Sequence, residues 1–381
     1  MDAHKQNARQ YYRPELDAVR LIAFLLVFLH HAFPNDPEVP AAPILRGFDA
    51  NFYAVIDACR FGLSLFFTLS AFLIAELLLR EKQAAGTIQG KQFYIRRILR
   101  IWPLYYLALV LGLLSVFVFG GQPGTAWNIG WFAIFMGSWL FVHQGLVPDI
   151  VSHLWSISVE EQFYLFAPWI LKYLSRKSLY AFCALVIISA DAWLFHLGRI
   201  AAEDDSIWYS SWVQFQCFAA GVLLCLVLCG RLPQLQIWQR FILLTGSLAC
   251  WFSASRWLHY PFYSAARNPG SWHLIAAYAL GSTGSVLIVV AFLGLNPKLI
   301  PAWAIYLGRI SFGLYVFHLA VLDSVFGIFP NAGRHHVFPY LLKISLALGL
   351  TVLAAGLSYR FLETPFLKMK KRHAIIESQP V

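Results

Sequence analysis

The sequence predicts an all-α fold: a polytopic membrane bundle of about ten transmembrane helices with one further re-entrant or interfacial segment. Two observations predict it. Apolar residues make up 59% of the chain and charged residues only 13%, whereas soluble domains carry about 25% charge. Apolar segments close to the ~20 residues that cross a bilayer also recur along the whole chain, with short polar connections between them.

The basic residues decide which of the apolar segments cross the membrane. Arg and Lys cluster in 80–97, directly after 154–174 and in the tail 368–372, and the positive-inside rule places all three clusters on the cytoplasmic side. One segment between them then cannot span, and the shortest, 127–142, is predicted to be re-entrant. Ten spans remain, with both termini cytoplasmic. The segments are 18–34, 57–79, 98–120, 127–142, 154–174, 179–197, 211–230, 239–258, 273–293, 303–329 and 338–362.

The chain is predicted to be one membrane domain over 1–381, with a core of about 13–366 and no fused soluble domain. The net charge of +10 comes mostly from basic residues at segment ends, so it does not indicate nucleic-acid binding. The six cysteines are scattered through apolar segments without CxxC or Cys/His ligand spacing, so we expect neither a disulfide framework nor a metal site.

The first apolar helix carries the least usual charges. Arg20 and His31 are 11 positions apart, close to three helical turns, so they share one face about 16.5 Å apart along the axis. Ionisable residues inside a membrane commonly mark functional sites. On spacing alone, an equally good interpretation is a cytoplasmic flank charge and a polar helix contact.

Three arginines lie where the third apolar segment, 98–120, enters the membrane. Arg97 and Arg100 share a helical face, and Arg96 lies beside them. Guanidinium groups bind phosphate oxygens through two parallel hydrogen bonds. Spacing alone favours a simpler role, an anchor that touches anionic lipid headgroups.

Polar stripes follow on two later helices. Ser156, Glu160 and Tyr164 fall at positions i, i+4 and i+8, so they face the protein interior together. The pattern is typical of a substrate site, and equally of a hydrogen-bond network that fixes helix packing. A second stripe with helical spacing consists of Ser311, Tyr315 and His318. Further along, Pro365 is predicted to stop the last helix.

Taken in order, these stretches resemble the acyltransferase family 3 of integral-membrane O-acyltransferases over about residues 13–366. Ala71 departs from the family's usual glycine, which should alter helix packing locally. The family's motifs are met by Glu15, Leu16, Asp17, Arg20, His31, Gly62, Phe66, Phe67, Ser70, Phe72, Leu73, Arg97, Arg100, Pro103, Tyr105, residues 155–164, Ser311, Tyr315, His318, Ser358, Tyr359, Glu363 and Pro365.

The resemblance implies transfer of an acyl group, usually acetyl, from cytoplasmic acyl-CoA to a hydroxyl of a cell-envelope polysaccharide or glycolipid. It implies a multi-pass protein of the bacterial inner membrane that uses acetyl-CoA as donor. Many members carry a fused extracytoplasmic domain that completes transfer. This chain is therefore expected either to acylate its acceptor directly or to need a separate extracytoplasmic transferase partner.

The resemblance also suggests roles for single residues. The donor phosphates are assigned to Arg20, Arg97, Arg100 and the adjacent Arg96. His31 is the candidate general base or acyl-accepting nucleophile, and Glu160 is expected to orient it or bind the acceptor. The candidate substrate-binding residues are Trp155, Ser156, Gln162, Tyr164, Tyr315 and His318.

Two hypotheses from other classes remain at this stage. A glycan or lipid transporter would line its pathway with the same intramembrane charges and would need no CoA. A structural or sensory partner would use the polar stripes only to hold helices together and would tolerate substitution of Arg20 and His31.

Overall fold

The computed structural model describes residues 11–33, 49–119, 125–145, 150–202, 204–258, 270–330, 336–373 and 376. Regular structure in these ranges is helical throughout, which confirms the all-α prediction. The α-helices are α1 (Pro14–Ala32), α2 (Ala50–Ala58), α3 (Phe61–Ala85), α4 (Gly90–Phe119), α5 (Thr125–Ala133), α6 (Gly137–Gln144), α7 (Trp155–Tyr173), α8 (Arg176–Arg199), α9 (Asp204–Trp208), α10 (Ser211–Leu228), α11 (Ile237–Arg256), α12 (Ser271–Phe292), α13 (Ala302–Arg309), α14 (Ser311–Ile328), α15 (Val337–Ser358) and α16 (Thr364–Lys371).

Seven helical stretches of the described chain are long and apolar enough to cross a membrane, so the fold is a multi-pass bundle. Three other helices are 19 or 20 residues long but less uniformly apolar, namely α1, α7 and α11. In α1 and α7 the mean hydropathy is lowered by charged and polar residues of the predicted site. The seven stretches are Ala50–Ala85, Gly90–Phe117, Arg176–Arg199, Ser211–Leu228, Ser271–Phe292, Ser311–Ile328 and Val337–Lys370.

Two predicted segments are divided in the structure. Residues 127–142 form parts of α5 and α6, which have nine and eight residues. At 1.5 Å per residue each is about 14 Å long or less, so neither crosses a ~30 Å hydrocarbon core alone. Residues 303–329 break near Ile310 into α13 and α14. Residues 34 and 120, the last of two other predicted segments, lie outside the described ranges.

The prediction that Pro365 stops the last helix is wrong. A π-helical turn, Tyr359–Glu363, connects α15 directly to α16, and Pro365 lies in the first turn of α16. Proline is accepted there because the first-turn N–H groups have no intrahelical acceptor in any case. The tail therefore continues as a helix and returns to the bundle.

Helix α1 begins at Pro14, ahead of the predicted apolar segment 18–34. Pro14 stands at the start, and Glu15 and Asp17 lie in the first turn, where carboxylates favour the positive end of the helix dipole. His30 and His31 occupy the last turn, which suits the negative end. The helix thus places its carboxylates and its imidazoles at opposite ends.

Helix α3 lies at the centre of the bundle and packs against α1, α7, α10 and α12. An added Cβ at Gly62 would lie 2.6 Å from the Ala23 carbonyl oxygen of α1, and one at Gly221 would lie 2.2 Å from the Thr68 carbonyl oxygen. Glycines at these contacts therefore allow the neighbouring helices to approach α3 closely. Where Ala71 replaces the family's glycine, the glycine at the contact is Gly221 of α10.

Helix α13 lies so close to α1 that Gly308→Ala should destabilise the protein. The added Cβ would lie 1.8 Å from the Asp17 carbonyl oxygen, which forces a backbone shift of the kind that typically costs about 1–3 kcal/mol. Thermal unfolding of the purified protein in detergent measures the effect. Gly327→Ala is the matched control, since nothing lies within 4 Å of its added Cβ. Equal unfolding temperatures for the two variants would contradict the close contact.

Candidate active site

A cavity of about 140 Å³ opens between α1, α3, α4, α7, α14 and α16. Its walls combine aromatic and aliphatic side chains with a concentrated set of polar ones. Most of the residues predicted from the two stripes and the arginine cluster meet in this cavity, although they come from three separate helices. The polar lining residues are Tyr11, Tyr12, Arg13, Asp17, Arg20, Ser70, Arg97, Arg100, Ser156, Glu160, Tyr164, Ser311, Tyr315 and Lys370.

One side of the cavity is cationic, and Asp17 organises part of it. The Asp17 carboxylate is fully buried, forms an ion pair with Arg20 and accepts a 2.7 Å hydrogen bond from the Tyr12 hydroxyl. Burial and the adjacent Asp17 carboxylate raise the pKa of Tyr12, so its hydroxyl keeps its proton and remains a donor. Arg309 in turn donates to the Tyr12 oxygen.

Arg97 stacks on the cavity wall. Its guanidinium carbon lies 5.4 Å from the centre of the Tyr164 ring and 5.8 Å from that of Phe93, within cation–π range. Its Nε atom is buried and has no hydrogen-bond partner among the described residues. Arg100 lines the same cavity one turn along α4. The predicted shared face of Arg97 and Arg100 is therefore present.

The stripe on α7 faces the cavity as one surface. The Tyr164 hydroxyl donates to the Glu160 carboxylate, and the Ser156 Oγ lies 2.6 Å from the Tyr315 hydroxyl oxygen. The neighbouring Glu161 points elsewhere and accepts a hydrogen bond from Trp102. Of the two adjacent carboxylates, Glu160 is the one that belongs to the cavity.

Tyr315 connects the cavity to a group of histidines. Its hydroxyl donates to the His153 carbonyl oxygen at 2.8 Å, and its own carbonyl oxygen lies 2.6 Å from Nδ1 of His318. Nε2 of His318 then lies 3.2 Å from Nδ1 of His31. His318 is fully buried, whereas His31 is exposed and does not line the cavity.

The hydrogen bonds assign the proton of His31 to one nitrogen. Nδ1 lies 3.0 Å from the Val27 carbonyl oxygen, which can only accept. His318 likewise donates from Nδ1 to the Tyr315 carbonyl, so its Nε2 accepts. In the neutral ring, His31 Nδ1 carries the proton and Nε2 keeps a free lone pair. That nitrogen suits a general base or a nucleophile.

Three other predicted site residues lie away from the cavity. Arg96 is buried, forms a 2.9 Å ion pair with Glu81 and donates to the His373 carbonyl oxygen. Gln162 donates to the Phe135 carbonyl oxygen at 3.0 Å. Trp155 packs against aromatic rings of the connection between α8 and α10, namely Trp208 and Tyr209.

Sequence reasoning did not assign Tyr12, His153 or Lys370. Tyr12 precedes α1, so helical periodicity could not predict which way its side chain points. His153 was visible directly before the α7 stripe, but its contact with Tyr315 depends on the packing of α14. Lys370 was interpreted as a basic flank residue, and nothing in the local sequence indicates that α16 folds back.

A protein-family model described as an acyltransferase domain matches residues 13–360. The chain belongs to this acyltransferase family. The match spans most of the chain and includes the cavity residues that α1, α3, α4, α7 and α14 contribute. This acyltransferase assignment agrees with the resemblance stated from the motifs.

Relatives of this chain occur in Staphylococcus aureus. It is 27% identical over 388 residues to "Putative O-acetyltransferase SAS0844" of strain MSSA476, covering 94% of this chain and 58% of that protein. It is 22% identical over 383 residues to "O-acetyltransferase OatA" of strain NCTC 8325 / PS 47, covering 94% and 57%. The chain thus spans less than three fifths of the length of these relatives. No solved structure matches it.

Replacing Arg96 should unfold the protein, in contrast to the arginines that line the cavity. Arg96→Ala leaves the Glu81 carboxylate buried without its cation, and breaking a buried pair in this way costs about 3–5 kcal/mol. The fraction of monodisperse protein by size exclusion and the unfolding temperature measure this. Lys91→Ala, an exposed cation on the same helix, should change neither. Wild-type stability of Arg96→Ala would contradict a structural role for the pair.

Proposed function

We propose that this protein is a membrane O-acyltransferase that moves an acetyl group from acetyl-CoA to a hydroxyl of a cell-envelope polysaccharide or glycolipid. One observation carries the proposal: arginines of α1 and α4 and the α7 stripe line a single cavity, and Tyr315 connects that cavity to His31. Family membership and the names of the relatives support the acyl-transfer chemistry.

The donor enters at the cationic side of the cavity. Arg20, Arg97 and Arg100 hold the phosphates, because guanidinium groups form paired charge-assisted hydrogen bonds to phosphate oxygens. The cavity continues between apolar and aromatic side chains, including Leu63 and Phe66, which suits a long neutral arm. Arg20 and His31 are about 16.5 Å apart along α1 by helical rise, so the thioester end reaches toward the histidines.

His31 acts at the other end of the arm. Nε2 takes the proton of the acceptor hydroxyl while the hydroxyl oxygen bonds to the acyl carbon. The C–S bond of the thioester breaks and the thiolate of coenzyme A leaves. In the alternative order, His31 Nε2 takes the acyl group first and passes it to the hydroxyl. His318 holds the ring by accepting from Nδ1 in both orders.

The membrane setting of the proposal follows the sequence analysis. The seven apolar stretches and the three less apolar long helices α1, α7 and α11 together make ten spans, with α5 and α6 as the re-entrant segment. The arginine end then faces the cytoplasm, where acyl-CoA is found, in a bacterial inner membrane. The acceptor is acylated directly or with the help of an extracytoplasmic transferase.

Binding of acetyl-CoA to the purified protein in nanodiscs tests the donor side. Wild type should bind saturably, and Arg100→Ala and Arg97→Ala should each weaken binding about tenfold or more, because a hydrogen bond to a charged group is worth about 1.5–3 kcal/mol. Isothermal titration or a labelled-donor filter assay measures the dissociation constant.

Lys91→Ala is the matched control for the binding test, since this exposed cation lies on α4 outside the cavity. It should bind acetyl-CoA as wild type does. Absence of binding by a folded wild type would favour a transporter or flippase. Movement of a glycan or lipid across vesicles without any CoA would then identify that alternative.

Acyl transfer should require His31 and depend strongly on His318. His31→Ala removes the proposed base or nucleophile, so transfer should fall to background while acetyl-CoA still binds at the arginine end. His318→Gln replaces the imidazole that orients His31 with a flexible amide and should lower kcat about a hundredfold with little change in KM for acetyl-CoA. Acetyl transfer to envelope glycan in membrane vesicles gives both constants.

His143→Ala controls for loss of a histidine, since His143 is exposed on α6 and does not line the cavity. It should leave transfer unchanged. Transfer by folded His31→Ala at the wild-type rate would exclude the proposed chemistry. A His318→Gln variant that changes KM alone would remove the positioning role.

A further inference from the structure

Lys370 is a lysine enclosed by the bundle at the cationic side of the cavity. It lies on α16, is only 8% exposed and lines the same cavity as Arg20, Arg97 and Arg100. The motif-bearing core was expected to end near residue 366, so Lys370 belongs to no sequence motif recognised above. A lysine so enclosed is unusual, because burying an ammonium group without a counter-charge is costly.

No anion of the described chain neutralises Lys370. Its ammonium group makes neither a hydrogen bond nor an ion pair within the described ranges. Around the cavity, five formally cationic side chains face two carboxylates. One of these, Asp17, is engaged by Arg20, and the other, Glu160, by the Tyr164 hydroxyl. Arg13, one of the five cations, is paired with Glu76 outside the cavity lining, so the other four cations exceed the two carboxylates by a formal charge of two.

The tail that carries Lys370 is fastened to the bundle at several points. Leu367 is buried on the same helix. Beyond the helix, the His373 carbonyl oxygen accepts a 2.8 Å hydrogen bond from Arg96. Ile376 packs in a buried apolar cluster with Tyr11 and Leu77. These contacts hold α16 against the cavity, so the position of Lys370 is built into the fold.

We propose that Lys370 completes a phosphate subsite at the cationic side of the cavity, where its ammonium group binds a phosphate of the acyl donor. This inference rests on the proposed function and adds a residue from the C-terminal helix to the donor site. A lysine acts there as a compact point charge with three donors, which complements the planar forks of Arg97 and Arg100. The bound phosphate supplies the counter-charge that the protein lacks.

The same phosphate chemistry has a second source, since an anionic lipid headgroup also carries a phosphate. The test therefore uses full-length protein in nanodiscs of the zwitterionic lipid phosphatidylcholine and then repeats the measurement with phosphatidylglycerol. Coenzyme A is the probe with phosphates, and S-acetyl-pantetheine, the donor arm without its nucleotide, is the probe with none. Two quantities are measured for each variant: the unfolding temperature without ligand and the dissociation constant of each probe.

Lys370→Met should make the ligand-free protein more stable and should weaken its binding of coenzyme A. Loss of an unpaired buried cation should raise the unfolding temperature of the ligand-free protein. The dissociation constant for coenzyme A should rise about tenfold to a hundredfold, while that for S-acetyl-pantetheine stays the same. Lys370→Arg should bind coenzyme A within a few fold of wild type. Lys368→Met is the matched control, since Lys368 is exposed on the same helix, and it should change neither quantity.

Several results would overturn the subsite. One is a dissociation constant for coenzyme A within twofold of wild type in Lys370→Met. Another is loss of folding in both Lys370→Met and Lys370→Gln, which would make Lys370 a structural residue. If folded wild type binds no coenzyme A but gains stability from phosphatidylglycerol only while Lys370 is present, the subsite stands and the proposed donor fails. If wild type responds to neither source of phosphate, both proposals fail.

Discussion

Charged side chains inside an apolar bundle need counter-charges, and this requirement shapes the cationic end of the molecule. Three buried carboxylates, Asp17, Glu76 and Glu81, each accept from cationic or hydroxyl donors. The donors to Asp17 are near it in sequence, whereas Glu76 and Glu81 also bind donors from other elements. Glu76 accepts from Tyr11 at 2.5 Å and forms ion pairs with two arginines. Breaking any of these groups would leave a charge uncompensated in a low-dielectric interior. The carboxylates therefore fix the N-terminal residues, α3 and α4 relative to one another, and the cavity forms between those elements.

At this end of the molecule, some paired charges hold the fold together and other charges line the cavity. Arg96 is committed to Glu81 and to the tail, whereas Arg97 next to it turns into the cavity and leaves its Nε without a partner among the described residues. Neighbouring residues on a helix point about 100° apart, so adjacent arginines can serve separate roles. The same rule separates Glu160, which faces the cavity, from Glu161, which bonds to Trp102. Charge alone did not distinguish the members of either pair.

The fold and much of the site could be predicted because they follow from periodicity. Apolar runs fixed the helices, and helical phase placed Ser156, Glu160 and Tyr164 on one face. Phase could not say which helices would meet, so the role of Arg96 and the contact of His153 with Tyr315 required the packed structure. The tail was misjudged for a related reason: Pro365 is a helix breaker in an interior but an ordinary first-turn residue after a π-helical turn. The free-energy cost of a proline in a helix is therefore small in the first turn and large further along.

The division of α1 into a charged end and an imidazole end has an electrical consequence. Moving one elementary charge across a membrane potential takes about 2.3 kcal/mol per 100 mV. The cations that line the cavity would retain the phosphates of a donor on their own side, and only an uncharged acyl group would continue past Tyr315 toward His31. The membrane voltage would then do no net work on the acyl group itself, so any dependence of transfer on voltage would come from the proton and the thiolate that the reaction releases.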